Sequence, residues 1–194
     1  MPVLMKNIVN VSIEIQGKMA ASKFILKWPL KDNNRDDYQD FITCERCRHI
    51  EIHGGGKIDG RGYNWWLVCI LNWKKYISGR RPDLIHLIES QYIRIHDIVL
   101  KNSPQFHLKM EACYDAEVYN LDIKVNTTAQ INLLKKASLT GIIPLFPLNT
   151  DGIDPSGARF HFYNITVQNF DDVVVAKPSH KGSYGGVCTE DLLV

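Results

Sequence analysis

The sequence contains an internal repeat of strand-like segments, and such a repeat is compatible with few folds. Four segments align with one another without gaps, and they comprise residues 49–60, 92–100, 115–123 and 159–167. Two columns of this alignment, two residues apart, hold apolar side chains: Ile50, Ile93, Ala116 and Phe160, then Ile52, Ile95, Val118 and Phe162. An apolar residue at every second position is the period of a β-strand. The chain is therefore expected to build similar strands that stack on one another.

Each repeat also has a turn at a fixed place. A small residue stands five positions before the second apolar column of every copy: Cys47, Ser90, Cys113 and Gly157. A further short strand-like run precedes that residue. The offsets between successive copies are 43, 23 and 44 residues. The two longer intervals contain either a full extra coil or long loops, for which residues 74–83 and 127–147 are the candidates.

Short strands that recur at a period of ~20–50 residues, without strong helical segments, are typical of a solenoid. We predict an all-β fold, a right-handed parallel β-helix, with a β-sandwich as the alternative. Residues 1–194 are expected to form a single, partial β-helix domain. We expect this solenoid to be truncated, lacking its C-terminal coils and its N-terminal start, because a fifth copy with Cys188 at its corner would stop at Val194.

The composition of the chain says more about its possible partners than about its fold. The formal net charge is +2, which predicts neither nucleic acid nor an anionic membrane as a partner. No stretch approaches the ~20 apolar residues of a membrane-spanning helix, and the N-terminus does not read as a signal peptide. Glycosylation sequons at Asn10, Asn126 and Asn164 favour secretion. We expect a monomer.

The number of cysteines does not decide between a reducing and an oxidising cellular compartment. Their number, 5, is odd, which fits a reduced compartment or an extracellular protein in which one cysteine lacks its partner. Cys44 and Cys47 are spaced like half of a zinc site, but no second pair of ligands stands at suitable spacing, so we predict no metal. Since the repeat aligns Cys44 with apolar residues and Cys47 with small ones, we interpret the pair as a core position and a corner position.

The fourth copy departs from the repeat where acidic residues accumulate. The gapless alignment places Gly152 in a column with Ile42, Ile85 and Leu108. It places Asp154 in a column with Cys44, Leu87 and Met110. Asp151 precedes Asp171 by 20 residues, which is close to one coil. Asp151, Asp171 and Asp172 are therefore expected to lie together on neighbouring coils.

Three carboxylates in one place raise the pKa of at least one of them. Glycoside hydrolysis uses such a set, in which a protonated acid serves the leaving oxygen and an ionised carboxylate activates water or attacks. The same residues would also suit a turn with a solvated aspartate pair, or a calcium site. Spacing alone leaves these alternatives open.

Several ordered motifs resemble glycoside hydrolase family 28, the polygalacturonase family. Residues 149–154 read Asn-Thr-Asp-Gly-Ile-Asp, like the Asn-Thr-Asp motif of that family, and Asp171-Asp172 resembles its paired aspartates one coil later. Residues 102–107 are similar to its Asn-Ser-Pro segment, and residues 58–66 and 81–85 match further stretches. The family's Gly-His-Gly and Arg-Ile-Lys motifs are absent from this chain, and Phe170 stands where many members have glycine.

The resemblance implies a right-handed parallel β-helix that hydrolyses α-1,4 bonds of pectin with inversion and without a cofactor. It implies that Asp171 is the general acid, that Asp151 and Asp172 hold and activate water, and that Asn149 and Lys177 bind the polysaccharide. Since pectin lies outside the cell, it also implies secretion. The segment at residues 81–85 and the loop before it favour exo action. The alternatives are a non-catalytic polysaccharide-binding scaffold and a calcium-dependent lyase on the same architecture.

Overall fold

The structure, a computed structural model, describes residues 1–32, 34–70, 80–138, 147–178 and 189–194. In the first half of the chain the strands are β1 (Val3–Lys6), β2 (Val9–Glu14), β3 (Lys18–Ala20), β4 (Leu30–Lys31), β5 (Asn34–Tyr38), β6 (Ile42–Glu45), β7 (Arg48–His53) and β8 (Lys57–Asp59), followed by helix α1 (Tyr63–Ile70). The second half comprises β9 (Ile85–Ile88), β10 (Gln91–Lys101), β11 (Leu108–Glu111), β12 (Cys113–Lys124), α2 (Thr128–Lys136), β13 (Ile153–Asp154), β14 (Gly157–Gln168) and β15 (Glu190–Leu193).

These strands form two large parallel sheets, so the predicted parallel β-helix is confirmed. The first sheet has the order β1-β6-β9-β11-β13, and the second has the order β15-β14-β12-β10-β7-β2, with β8 and β3 beside β10. Each strand pairs with the equivalent strand of the next coil. The antiparallel hairpin β4–β5 is the exception among the described residues.

The columns predicted from the repeat correspond to the residues that pair with one another across the second sheet. Ile93 pairs with both Ile50 and Ala116, and Ala116 pairs with Phe160. The next apolar column behaves in the same way, and both columns are buried in one core between the sheets. The histidines and tyrosines beside them face outward and form a stack in which the ring centroids of His96 and Tyr119 are 4.6 Å apart.

The two long intervals carry insertions rather than extra coils. β7 pairs directly with β10, and β12 pairs directly with β14. The expectation that the chain has no strong helical segments was wrong here, because α1 and α2 lie in these intervals. Of the predicted loops, residues 74–79 and 139–146 lie outside the described residues. No helix in the described part of the chain has the length and apolar character needed to span a membrane.

Residues in the left-handed conformation mark the corners between the sheets. Arg46, Glu89 and Ala112, which have positive φ, each stand directly before the small-residue corner of their coil, and Asn7, also with positive φ, holds the equivalent place before Ile8 in the first coil. At another corner the asparagines stack, since the amide of Asn164 donates to the side chain of Asn120 at 2.6 Å, and Asn120 donates to Asp97 at 2.9 Å. Asparagine and aspartate tolerate this conformation better than most residues.

The fourth coil omits one corner residue, and the gapless alignment was therefore wrong there. The column of Ile42, Ile85 and Leu108 continues with Ile153, not with Gly152. Asp154 pairs with Lys109 and so belongs to the outward column of Thr43 and His86. A shift of one residue moves a strand side chain to the opposite face. Gly157 keeps the column of Cys113, the residue equivalent to Ala112 is the one that is missing, and Gly157 turns the shortened corner with a φ of +134°.

The cysteine interpretation was incomplete. Cys44 and Cys47 are buried, as expected of a core and a corner position, but the structure joins them in a disulfide. Their Cα atoms are 6.0 Å apart across the corner, within the range of disulfides. Cys113 is a buried free thiol. Cys188 lies outside the described residues. The predicted corner at Cys188 was wrong by one position, because Glu190 pairs with Ala158 and the same register places Thr189 in the column of Gly157.

The corner at Gly157 generates a prediction about stability. A Cβ atom there would collide with the carbonyl of Cys113, and the φ of Gly157 is one that L-residues rarely adopt. Gly157→Ala should therefore lower the free energy of unfolding by at least about 2 kcal/mol. Gly17→Ala is the matched control, because a Cβ atom at Gly17 meets nothing within 4 Å. Urea unfolding of both variants measures the difference, and equal midpoints would contradict the described corner.

Candidate functional site

The site lies where β13 pairs with the chain that follows Asp172. The backbone N–H of Gly152 donates to the carbonyl of Asp172 at 2.9 Å, and Ile153 donates to Val173 at 3.0 Å. Asp151 and Asp172 therefore occupy equivalent positions on neighbouring coils. Any side chain at Gly152 would strike the carbonyl of Val173, so the close approach of the two coils requires glycine at this position.

The three predicted aspartates converge. One carboxylate oxygen from each of Asp151, Asp171 and Asp172 lies within 4.8 Å of the other two. Asp151 is buried, whereas Asp171 and Asp172 are exposed. The carboxylate of Asp171 accepts hydrogen bonds from the backbone N–H of Asn149, at 2.8 Å, and of Asp172, at 3.1 Å. These donors fix the orientation of Asp171 at the rim of the site.

Two polar side chains tie the acidic segments together. Asn169 donates from Nδ2 to the carbonyls of Thr150, at 3.1 Å, and Asp172, at 2.7 Å. The hydroxyl of Thr150 accepts the backbone N–H of Phe170 at 3.2 Å and donates to Pro147 at 3.2 Å. The positions of the carboxylates thus depend on a hydrogen-bonded frame as well as on the strand pairing.

Lys177 and Asp154 form the inner end of the site. The ammonium of Lys177 lies 3.5 Å from a carboxylate oxygen of Asp151 and 3.5 Å from one of Asp154. Both oxygens of Asp154 are buried without a hydrogen bond among the described residues. Burial, and then the charge of Asp151, raises the pKa of Asp154 to about 7. Burial, and then the charge of Asp171, raises the pKa of Asp151.

The sequence interpretation missed two residues of the site. Asp154 was visible in the motif, but the alignment assigned it to a core column. Arg81 donates to the carbonyl of Leu148 at 2.8 Å and contacts the side-chain oxygen of Asn149 at 3.5 Å. This pairing across 67 and 68 positions of sequence carries no signal in a single sequence, although residues 81–85 matched a family stretch.

A second acidic cluster lies farther along the outer face of the first sheet. Asp40, Asp83 and His86 are all buried and close enough to share an ion. Their charges are already matched, since Lys31 contacts Asp40 at 2.9 Å and Arg80 contacts Asp83 at 3.0 Å. His86 contacts Asp40 at 2.8 Å. We therefore interpret this cluster as a structural ion network.

The raised pKa of Asp154 predicts a pH-dependent cost to stability. Between its unfolded pKa of about 3.9 and its folded pKa of about 7, the folded state holds a proton that the unfolded state has released. The free energy of unfolding therefore falls as pH rises through that window, on the order of 4 kcal/mol in total. Asp154→Asn removes this titration and should show a flatter profile in urea unfolding. Asp122→Asn, at a partly exposed position of β12, is the control, and an unchanged slope in Asp154→Asn would contradict the burial of Asp154.

Comparison with known proteins identifies the family. The sequence matches the model for "Glycosyl hydrolases family 28" over residues 4–183. A polygalacturonase of Chamaecyparis obtusa is 30% identical over 85% of this chain and 28% of its own length. An endo-polygalacturonase of Pectobacterium carotovorum is 27% identical over 78% of this chain and 35% of its own length.

Solved structures give the same fold. A polygalacturonase of Erwinia carotovora superposes with a TM-score of 0.63 at 20% identity, covering 91% of this chain and 46% of that one. An exopolygalacturonase of Thermotoga maritima superposes with a TM-score of 0.64 at 15% identity, covering 89% and 43%. The chain spans less than half the length of each of these proteins. It belongs to glycoside hydrolase family 28.

Proposed function

We propose that this chain supplies the catalytic carboxylates of an enzyme that hydrolyses α-1,4 bonds of pectic galacturonan with inversion. The observation that carries the proposal is the convergence of Asp151, Asp171 and Asp172 within 4.8 Å on two neighbouring coils. Similarity to proteins named polygalacturonase supports galacturonan as the substrate. The activity belongs to the whole protein, since the chain covers only part of each relative.

The carboxylate spacing suits a single bound water. A water molecule that donates one hydrogen bond of about 2.8 Å to each of two oxygens can bridge a gap of up to about 5 Å. Asp151 and Asp172 are therefore assigned to hold that water and to take its proton. Asp171, at the rim, donates a proton to the glycosidic oxygen as the bond to the anomeric carbon breaks. The water oxygen forms the new bond from the opposite side, which inverts the configuration.

The distance between the carboxylates does not itself favour inversion. Inverting glycosidases usually separate their acid and base by ~6.5–9.5 Å, and retaining ones by ~5–5.5 Å. The closest oxygens here lie within 4.8 Å. Inversion is therefore proposed from the family resemblance, and the configuration of the first product decides it.

Lys177 and Asn149 are assigned to the substrate. Lys177 keeps 37% of its side chain exposed, and its ion-pair distances of 3.5 Å leave the ammonium free to turn towards a uronate carboxylate. A lysine acts there as a point charge. Asn149 is exposed beside Arg81, so its amide and the guanidinium form a polar pair at the mouth of the site.

Exo action is supported by side chains that cover one end of the outer face of the first sheet. Asp40, Asp83 and His86 lie on this face yet are buried, because Lys31 of the hairpin and Arg80 pack over them. His86 is on β9, two strands from β13, which is about 10 Å at the spacing of parallel strands. A polysaccharide chain that lies along this face from the β13 end would therefore be blocked close to the carboxylates.

Secretion is proposed with the function, since pectin lies outside the cell. The disulfide between Cys44 and Cys47 supports an oxidising compartment.

The assignment of the acid predicts the effect of removing it. Asp171→Asn in the full-length protein should lower reducing-sugar release from polygalacturonate by at least about 10³-fold, because an amide cannot donate the proton. Asp97→Asn, at an exposed position on the outer side of the second sheet, should leave the rate unchanged. A rate within tenfold of wild type for Asp171→Asn would refute the role of this residue.

The covered end predicts the products. Early digestion of polygalacturonate should yield monomers or dimers, while the viscosity of the solution falls slowly relative to the gain in reducing ends. Chromatography of the products and viscometry measure both quantities. A ladder of longer oligomers with a rapid loss of viscosity would show endo action and contradict the interpretation of the covered face.

A further inference from the structure

His107 is a buried histidine that the proposed chemistry does not use. It stands directly before β11, in the column that Phe41 and Leu84 fill on earlier coils. Each backbone N–H of this column donates to the next coil, at 2.9 Å from Phe41 to Asp83, and at 3.0 Å from His107 to Asp151. An imidazole in place of an apolar side chain costs free energy unless its nitrogens are paired.

Both ring nitrogens of His107 have backbone partners. Nδ1 lies 3.0 Å from the carbonyl oxygen of Asp151, and the backbone N–H of Ser103 donates to Nε2 at 3.3 Å. These partners require a neutral ring with its proton on Nδ1. Burial lowers the pKa of His107 to about 4, so the ring is neutral at the pH of most assays. The carbonyl of Asp151 thus accepts two hydrogen bonds from one residue, one from the backbone and one from the ring.

The side chain of Asp151 has little support of its own. Its Oδ1 is buried without a hydrogen bond among the described residues, and its other oxygen has the 3.5 Å contact with Lys177. The direction of the carboxylate is therefore set mainly by the peptide that carries it. A tilt of that peptide would move the carboxylate relative to the oxygens of Asp171 and Asp172.

We propose that His107 is a positioning residue for Asp151. Its backbone N–H and its ring, which the backbone N–H of Ser103 holds in place, together fix the peptide carbonyl of Asp151. This role rests on the proposed function, because it matters for activity only if Asp151 acts on the bound water. His107 does not touch the substrate. Its loss should therefore slow the chemical step and leave substrate binding nearly unchanged.

Two substitutions distinguish the effect of losing the hydrogen bond from the effect of altered packing. His107→Asn retains an N–H donor near the place of Nδ1, whereas His107→Leu removes it and matches Leu84 in the same column. Leu84→Val is the packing control, since Leu84 lies in the core one coil away. In the full-length protein, His107→Leu should lower kcat on polygalacturonate by about 10- to 100-fold, the loss expected from a misplaced catalytic group. KM should stay within about threefold, and His107→Asn should recover most of kcat.

Two kinetic results would overturn the proposal. One is a kcat for His107→Leu that is no lower than that of Leu84→Val. The other is a loss in His107→Asn as large as in His107→Leu, which would show that the donor is irrelevant.

A spectroscopic measurement keeps this test separate from the proposed function. The carbon-13 titration of the Asp151 carboxyl, followed by NMR, should change in His107→Leu and remain close to wild type in His107→Asn. If wild type fails to cleave polygalacturonate but this pattern holds, the proposed substrate is wrong and the positioning role stands. If the Asp151 titration is the same in His107→Leu as in wild type, the positioning role is wrong whatever the substrate.

Discussion

Hydrogen-bonded pairing of parallel strands between successive coils sets the position of the side chains throughout this solenoid. It fixes each residue in a column, and the column decides whether a side chain enters the core or faces outward. Asp151 and Asp172 meet because they occupy one column on neighbouring coils. Asp154 joins them because the fourth coil omits one corner residue, which turns this side chain out of the core. The arrangement of the carboxylates in the site thus follows from the register of the paired strands.

The two acidic clusters of the outer face differ in how their charge is balanced. Around Asp40 and Asp83, Lys31 and Arg80 lie within hydrogen-bonding distance of the carboxylates. Around Asp151 and Asp154, Lys177 is the cation, at 3.5 Å, and buried oxygens remain without hydrogen bonds in the described part of the chain. Buried carboxylates that lack full pairing are costly, and such costs are concentrated at functional sites. This contrast favours a catalytic role for the cluster of Asp151 and Asp154 and a structural role for the cluster of Asp40 and Asp83.

Much of the fold and part of the site could be predicted from the sequence. The apolar columns, from Ile50 to Phe162, follow from the strand period, and the convergence of Asp151 with Asp171 and Asp172 follows from their separation of about one coil. The displacement of Asp154 could not be seen, because a missing corner residue leaves no trace in a gapless alignment. The disulfide between Cys44 and Cys47 was missed because the cysteines also fit their columns. The contact of Arg81 with Asn149 joins distant parts of the chain and is set by tertiary packing alone.

In the proposed mechanism, three converging carboxylates direct a water molecule against an α-glycosidic bond. Proton NMR of the first products formed from polygalacturonate by the full-length protein distinguishes this mechanism from retention and from elimination. The newly formed reducing ends should appear first as the β-anomer and then mutarotate. Initial formation of the α-anomer would show retention, and unsaturated products would show elimination; either result would contradict the proposed mechanism.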